Sequence, residues 1–348
     1  MPTPSEERAV VGGGTTWLVT RYADVREVLG DSERFSTRPG PGAEMPERLA
    51  ALRPVVQDII DERLDALAAA GPPADLCAGF AVPVTTSVIA RLLGVPRGDR
   101  ELFRAVAAAA FGSAGRAAPE TGSRPLFDYV RRLLRERRAA PGEDVLSQLI
   151  TSGVRSEQPL TEDEMVMMGG GLLISGLNTT ATTLAQGMLA LLEDPGELDR
   201  LRADPARVPE AVGALVRFFG GAAALTREVT RDTELGGKRV AAGDLVVVAL
   251  QPADRGHDRG PAPFPGPDRP GLTRRPVGHF GLGPRHCVGQ QTARLELDLA
   301  LRTLLRRVPS LRLAVPLADI EFRADAPMVG PAALPVTWDE IGPAAGRR

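Results

Sequence analysis

Lysine is almost missing from this chain: of its 42 basic residues only Lys238 is lysine, and the rest are arginine. Together with abundant alanine, glycine and proline, this reads as genomic base bias rather than selection for arginine chemistry. Charge of either sign is not in excess. The formal net charge of −2 gives no footprint for a polyanion, so no nucleic-acid partner is expected. Two cysteines, Cys77 and Cys287, exclude a disulfide scaffold and a cysteine-rich zinc site. The three histidines, His257, His279 and His286, and the lack of a G-x-S-x-G elbow give serine-hydrolase chemistry little support. No dinucleotide fingerprint occurs among the glycines. The start, Met1 to Val10, has no signal-peptide core. The longest apolar stretch, Met165 to Leu192, is broken by Asn178, Thr179, Thr180, Thr182, Thr183 and Gln186. It reads as a buried helix, not a bilayer span, and a cytoplasmic protein with no membrane partner is expected.

What is present is mostly helical pattern. Apolar spacing predicts helices over Tyr22 to Leu29, Pro46 to Ala70, Leu76 to Leu93, Glu101 to Phe111, Leu126 to Arg138, Asp144 to Thr151, Pro209 to Phe219 and Val288 to Val308. The longest runs from a T-x-x-E capping box at Thr161 and Glu164 to Glu193, where Asp194-Pro195 stops it. Strands are expected at Trp17 to Val19, at Leu225 to Thr230 and Leu245 to Leu250 with a Gly236-Gly237 turn between them, and as a terminal pair at Leu311 to Val315 and Leu334 to Trp338. Arg255 to Pro276 reads as loop. Without alternating βα units a doubly wound sheet is excluded, and the expected class is mainly α with small β-sheets.

The sharpest stretch is Phe280-Gly281-Leu282-Gly283-Pro284-Arg285-His286-Cys287-Val288-Gly289. Gly281 and Gly283 permit backbone angles closed to other residues, so the loop can turn amides toward one sulfur. The helix behind it favours a thiolate, a soft ligand for iron. A glycine-rich turn carrying an inert buried cysteine is the plain alternative.

This F-G-x-G-x-R-x-C-x-G stretch resembles the haem-ligand signature of cytochromes P450. The resemblance covers about Trp17 to Thr337 and implies a cytochrome P450-like fold. Its parts fall in order: Trp17 to Ser36 is similar to the first strand and helix of the bacterial soluble branch, Leu173 to Thr180 to the central helix, Arg227 to Asp232 to the segment with a propionate-binding arginine, Glu234 to Asp244 to the family's β-hairpin, and Phe264 to Arg269 to the approach to the cysteine loop. One domain over residues 1–348 is implied: an N-terminal strand, helix and loop over 1–45, a helical part over 46–220 with its central helix at 161–194, and hairpin, cysteine loop and terminal elements over 221–348. The resemblance implies haem b (iron protoporphyrin IX) with Cys287 as axial ligand. Phe280, Gly281, Gly283 and Gly289 would form its bed, and Arg285 and Arg227 would meet its propionates. Gly176 would leave room for dioxygen, with Thr179 and Asn178 beside it. Taken alone, Thr179 reads as a mid-helix threonine bonding back to the preceding turn, and Arg227 as a surface charge.

Four departures from the family pattern stand out. Asn178 takes the place of an acid, and an amide cannot ionise. Ala214 replaces the glutamate of E-x-x-R, leaving Arg217. The helix that clamps the other haem edge, with much of the substrate-pocket roof, is deleted after Phe35. Extra residues surround Arg255 to Ala262. Two functions follow: a haem-thiolate monooxygenase on a small, biosynthetic organic substrate, supplied with electrons by a ferredoxin-type partner, or a haem-free helper that binds and activates a glycosyltransferase.

Overall fold

The computed structural model describes residues 5–6, 15–36, 47–99, 102–103, 124–154, 160–220, 224–249, 280–283, 286–323 and 328–344. The chain divides into two compact units. One comprises Met1–Pro46 and Pro209–Gln291, the other Glu47–Val208 and Thr292–Arg348.

The first unit is built on a five-stranded sheet. Its strands are β1 (Ser5–Glu6), β2 (Thr16–Val19), β3 (Phe35–Ser36), β5 (Ala224–Val229) and β8 (Leu245–Ala249), with helix α1 (Tyr22–Gly30) following β2. Their order is β1-β2-β8-β5-β3, and β2 lies parallel to β8 with Trp17 opposite Val246. Trp17, Val19, Val25, Val28, Phe35, Val246 and Val248 make its core. One carboxylate ties the sheet together: Asp244 accepts from Trp17 Nε1 at 2.9 Å, Thr15 N at 2.9 Å and Ala241 N at 3.0 Å. Burial works to raise its pKa, but these bonds outweigh it and hold Asp244 below the usual carboxylate range.

The expected strands and hairpin are present. β5 and β8 pair antiparallel, Arg227 opposite Val246. Between them the Gly236-Gly237 turn closes the expected hairpin, formed by β6 (Thr233–Leu235) and β7 (Lys238–Val240). Both glycines have positive φ, 58° and 82°, which a two-residue turn between twisted strands requires.

The second unit is helical: α2 (Glu47–Ala70), α3 (Val82–Leu92), α4 (Arg124–Ala139), α5 (Val145–Val154), α6 (Glu162–Leu192), α7 (Pro195–Ala203) and most of α9 (Gln290–Arg307); α8 (Val208–Phe219) lies almost wholly in the first unit. Residues 37–46, between β3 and α2, where a helix is expected to be lost, lie outside the described residues. α6 begins at the expected capping box, with Thr161 accepting from Glu164 N and the Glu164 carboxylate accepting from Thr161 N. At about 1.5 Å per residue its 31 residues run roughly 45 Å.

The helix expected from Leu76 to Leu93 is instead two elements. A π-helical turn at Cys77–Ala81 precedes α3, and Val82 N bonds Cys77 O five residues back. Pro83 has no N–H for the bond to Gly79, so the turn before it opens to the wider spacing. Of the helix expected at Glu101 to Phe111, only residues 102–103 are described. β4 (Ala74–Asp75), β9 (Arg312–Leu313) and β10 (Pro335–Thr337) form a second sheet, in which β9 and β10 are the expected terminal pair. Arg307 of α9, buried, joins α9 to α2 through Asp61 Oδ1 at 2.9 Å and bonds Gly342 O at 2.8 Å. No helix among the described residues is long and apolar enough to cross a membrane.

Candidate active site

The cysteine loop is a backbone construction. Cys287 N donates to Phe280 O at 2.7 Å, and His286 N to Gly283 O at 3.0 Å. Gly281 and Gly283 hold φ of 76° and 69°. Gly283 is doubly required, because a Cβ there would stand 2.9 Å from the Leu29 carbonyl oxygen at the end of α1. Leu282 packs on the sheet core, so the loop is anchored from below. The Phe280 and His286 rings lie 6.5 Å apart.

The Cys287 residue is exposed, and its sulfur accepts from the amides of Gly289 and Gln290. Burial of the thiol within the turn pushes its pKa up, while those two amides pull it down. The net direction is upward, so the helix end alone does not make a thiolate; a bound cation is what deprotonates such a thiol. A Cβ at Gly289 would make only an ordinary contact with the sulfur, at 3.9 Å. Cys77 differs on each count. It is buried, its pKa is pushed up to about 12 by burial first and Asp75 second, and no metal could reach it without unpacking. A sulfur with two amide donors, on an exposed residue of a glycine-built loop, fits a soft ligand that would hold the iron of a porphyrin.

Arg227 lies in the same unit as the cysteine loop, on β5. It is not a surface charge: it is buried on the core side of the strand with Leu225 and Val229, and Nη1 donates to Thr226 O at 3.0 Å. Alternation along β5 places it there, since residues 225, 227 and 229 share a face. Arg217 on α8 keeps interactions of its own despite Ala214, with only its Nε buried away from any acceptor. Pro284 and Arg285, like His257, His279 and the 255–269 stretch, lie outside the described residues.

The remaining expected residues belong to the helical unit, on α6. Thr179 Oγ1 donates to Ser175 O at 2.7 Å, which is the back-bonding geometry of a mid-helix threonine. That bond commits the hydroxyl proton and leaves the oxygen lone pairs as the free function. Asn178 is half-buried beside it. Gly176 lies against α3: a Cβ there would come within 3.0 Å of Ile89 Cδ1, so the glycine lets the two helices approach closely. Thr85 of α3 donates toward Leu177 O at 3.1 Å and holds the two helices together at this level. Glu296 on α9 is buried without a partner for Oε2, and burial pushes its carboxyl well above its ordinary range. The sequence reading missed one contact on this helix, Gln186 Nε2 to Val329 O at 2.6 Å. Its only signal was a long polar side chain in an apolar helix.

Comparison with known proteins agrees with this site. The cytochrome P450 family model matches residues 215–311, which include Arg217, Arg227 and the cysteine loop. Cytochrome P450 105C1 of a Streptomyces species is 39% identical over 361 residues, covering 96% of this chain and 92% of that protein. Pentalenic acid synthase of Streptomyces avermitilis is 34% identical, covering 96% and 91%. Among solved structures, cytochrome P450 MoxA of Nonomuraea recticatena matches with a TM-score of 0.80 at 32% identity, over 97% of this chain and 93% of that one. The LnmA cytochrome P450 hydroxylase of the leinamycin biosynthetic pathway of Streptomyces atroolivaceus matches with a TM-score of 0.80 at 33% identity, over 94% and 91%. With a whole-chain likeness at this level and a thiol standing free in its glycine loop, the chain belongs to the cytochrome P450 family and is a P450-type monooxygenase.

Proposed function

We propose that this chain holds haem b through Cys287 and oxidises a small organic molecule of a biosynthetic route in the cytoplasm, with electrons from a ferredoxin-type partner. The observation that carries the reading is Cys287, an exposed residue whose sulfur accepts two amides in the loop of Gly281, Gly283 and Gly289. The substrate class rests on relatives such as pentalenic acid synthase and the leinamycin-pathway hydroxylase. A separate electron donor is inferred because the sequence carries no flavin or nicotinamide motif. The reading treats residues 1–348 as one domain.

Bound haem supplies the activation of dioxygen and its transfer to the substrate. The chain's own residues do the rest. Cys287 gives the thiolate, and the Gly289 and Gln290 amides temper its charge. Phe280 shields the loop. Arg227, a cation on the core side of a strand, and Arg285 supply charge for the two propionates; a guanidinium stays ionised under all ordinary conditions. Thr179, its proton given to Ser175 O, offers an oxygen that accepts and orients a water. Asn178 can hold that water by its amide but cannot deliver a proton, so proton supply runs through solvent and is slower than with an acid at this place.

Expression with added haem, followed by reduction and carbon monoxide, tests the reading. The expected result is a Soret band at the long-wavelength position of a thiolate ligand. A folded, monodisperse protein that stays colourless in excess haem overturns it and leaves the glycosyltransferase-activating helper as the better account.

A further inference from the structure

α3 meets the central helix at the turn that carries Asn178 and Thr179. Residues 85 and 89 of α3 are one helical turn apart and share a face. Ile89 lies against Gly176, where a Cβ would come within 3.0 Å of Ile89 Cδ1. One turn back, Thr85 Oγ1 stands 3.1 Å from Leu177 O, the carbonyl just before Asn178. The same hydroxyl lies 3.2 Å from Ala81 O and 3.2 Å from Val82 O at the start of its own helix. Those two distances follow from the rotamer of a threonine that bonds back within a helix. The approach to Leu177 O joins residues 92 apart in the chain and comes from packing alone. Thr85 is buried. Two buried oxygens this close attract only with a proton between them, and the hydroxyl has one to share.

Thr85 adds to a run of such contacts. Thr179 Oγ1 donates to Ser175 O at 2.7 Å, and Thr183 Oγ1 to Thr179 O at 2.8 Å. With Leu177 O, three alternate carbonyls of one stretch of α6 take a hydroxyl besides their helical amide. A carbonyl shared in this way holds its amide less firmly, and the helix there is softer. Thr179 and Thr183 belong to α6 and move with it, so they soften the turn without placing it. Thr85 comes from α3 and ties the softened turn to a second helix. A valine would fill nearly the same space without this bond, and its methyl could not rest so close to an oxygen.

We propose that Thr85 is a positioning residue for the reaction: its hydroxyl tethers Leu177 O to α3 and so fixes where the adjoining turn presents the Thr179 oxygen. The positioning role rests on the monooxygenase reading; the tether does not.

The parent chain, Thr85→Val, Thr85→Ser and Thr179→Ala test it, with Val56→Ala, a cavity in the buried face of α2, as the control for general loosening. Thr85→Ala, which loses the donor and adds no bulk, stands in if the valine variant does not fold. Backbone amide exchange reads the tether with or without haem. The Ala181 amide, helical donor to Leu177 O, should exchange roughly fivefold faster in Thr85→Val and at the parent rate in Thr85→Ser. The stretching band of carbon monoxide on the reduced, haem-loaded proteins reads the Thr179 oxygen. It should shift in Thr179→Ala, shift the same way in Thr85→Val, and keep the parent position in Thr85→Ser and Val56→Ala. Unchanged Ala181 exchange in Thr85→Val overturns the tether and the role built on it. A band that Thr85→Val leaves in place, that Thr85→Ser fails to restore, or that Val56→Ala moves as far overturns the positioning role. A band unmoved by Thr179→Ala overturns that role together with the place given to Thr179. A parent chain that takes up no haem overturns it together with the monooxygenase reading, and the exchange measurement still decides the tether.

Discussion

The cysteine loop and the central helix work in opposite ways. The loop acts through its backbone: Gly281 and Gly283 at positive φ shape the turn, and the amides of Gly289 and Gln290 meet the sulfur. The helix hangs side chains on a regular backbone: Asn178 is half-buried, Thr179 bonds back to Ser175 O and Gln186 reaches Val329 O. A backbone device keeps its pattern or fails as a whole, and this chain keeps F-G-x-G-x-R-x-C-x-G intact. A side-chain device can lose one member and survive in altered form. That is what Asn178 in place of an acid and Ala214 in place of a glutamate represent.

Cys287→Ser should break the comparison most completely. It removes the single soft donor of the loop, so the thiolate-type carbon monoxide band should vanish. The position is exposed, so the denaturant midpoint should move by less than about 0.5 kcal/mol. Retention of that band would move the ligand elsewhere. Gly283→Ala comes next. It forces a side chain into a left-handed backbone 2.9 Å from the Leu29 carbonyl and should cost about 1–3 kcal/mol in unfolding free energy, with faster haem loss. An unchanged midpoint would mean the loop can re-form around alanine.

On the helix the effects should be smaller and confined to turnover. Asn178→Asp supplies an ionisable proton carrier and should raise product formed per electron by up to about tenfold, below the full range of general-acid contributions. Thr179→Ala should lower the same ratio while substrate affinity holds. Equal coupling in all three proteins would take proton delivery away from this turn.

The smallest effect concerns Glu296, and its sign follows from burial. The folded carboxyl titrates well above its ordinary range, so it stays protonated while the unfolded chain ionises near pH 4. Its folded form is therefore favoured below that pH and loses ground as pH rises. Glu296→Gln removes the dependence. The variant should match the parent near pH 4 and exceed it by about 1 kcal/mol at pH 8, read from urea midpoints. A gain that is the same at both pH values would mean Glu296 is ionised in the fold.

Much of this was legible in the residues. The capping box and Asp194-Pro195 bounded α6 because helix ends are set by local hydrogen bonding. The glycine loop was legible because positive φ excludes most other residues. The π-turn before α3 was not seen, although Pro83 carried its cause, since a helical period tolerates one widened turn. The Gly236-Gly237 hairpin was legible as well, because two adjacent glycines permit the positive φ its turn needs.

Three matters lay beyond local pattern. Arg227 looked like a surface charge until strand pairing put it on the core side of β5. That Gly176 packs against Ile89 of α3 was not visible in its own segment. Gln186 and Val329 meet across 143 residues of chain. Sequence by itself determined where helices start and stop, which loop can bend around a sulfur, and the family those features resemble, since each depends on near neighbours and on steric limits of single residues. Tertiary structure alone decided which side chains are buried, which gaps are filled and which loop is held by which helix, because those depend on surfaces meeting that the chain places far apart.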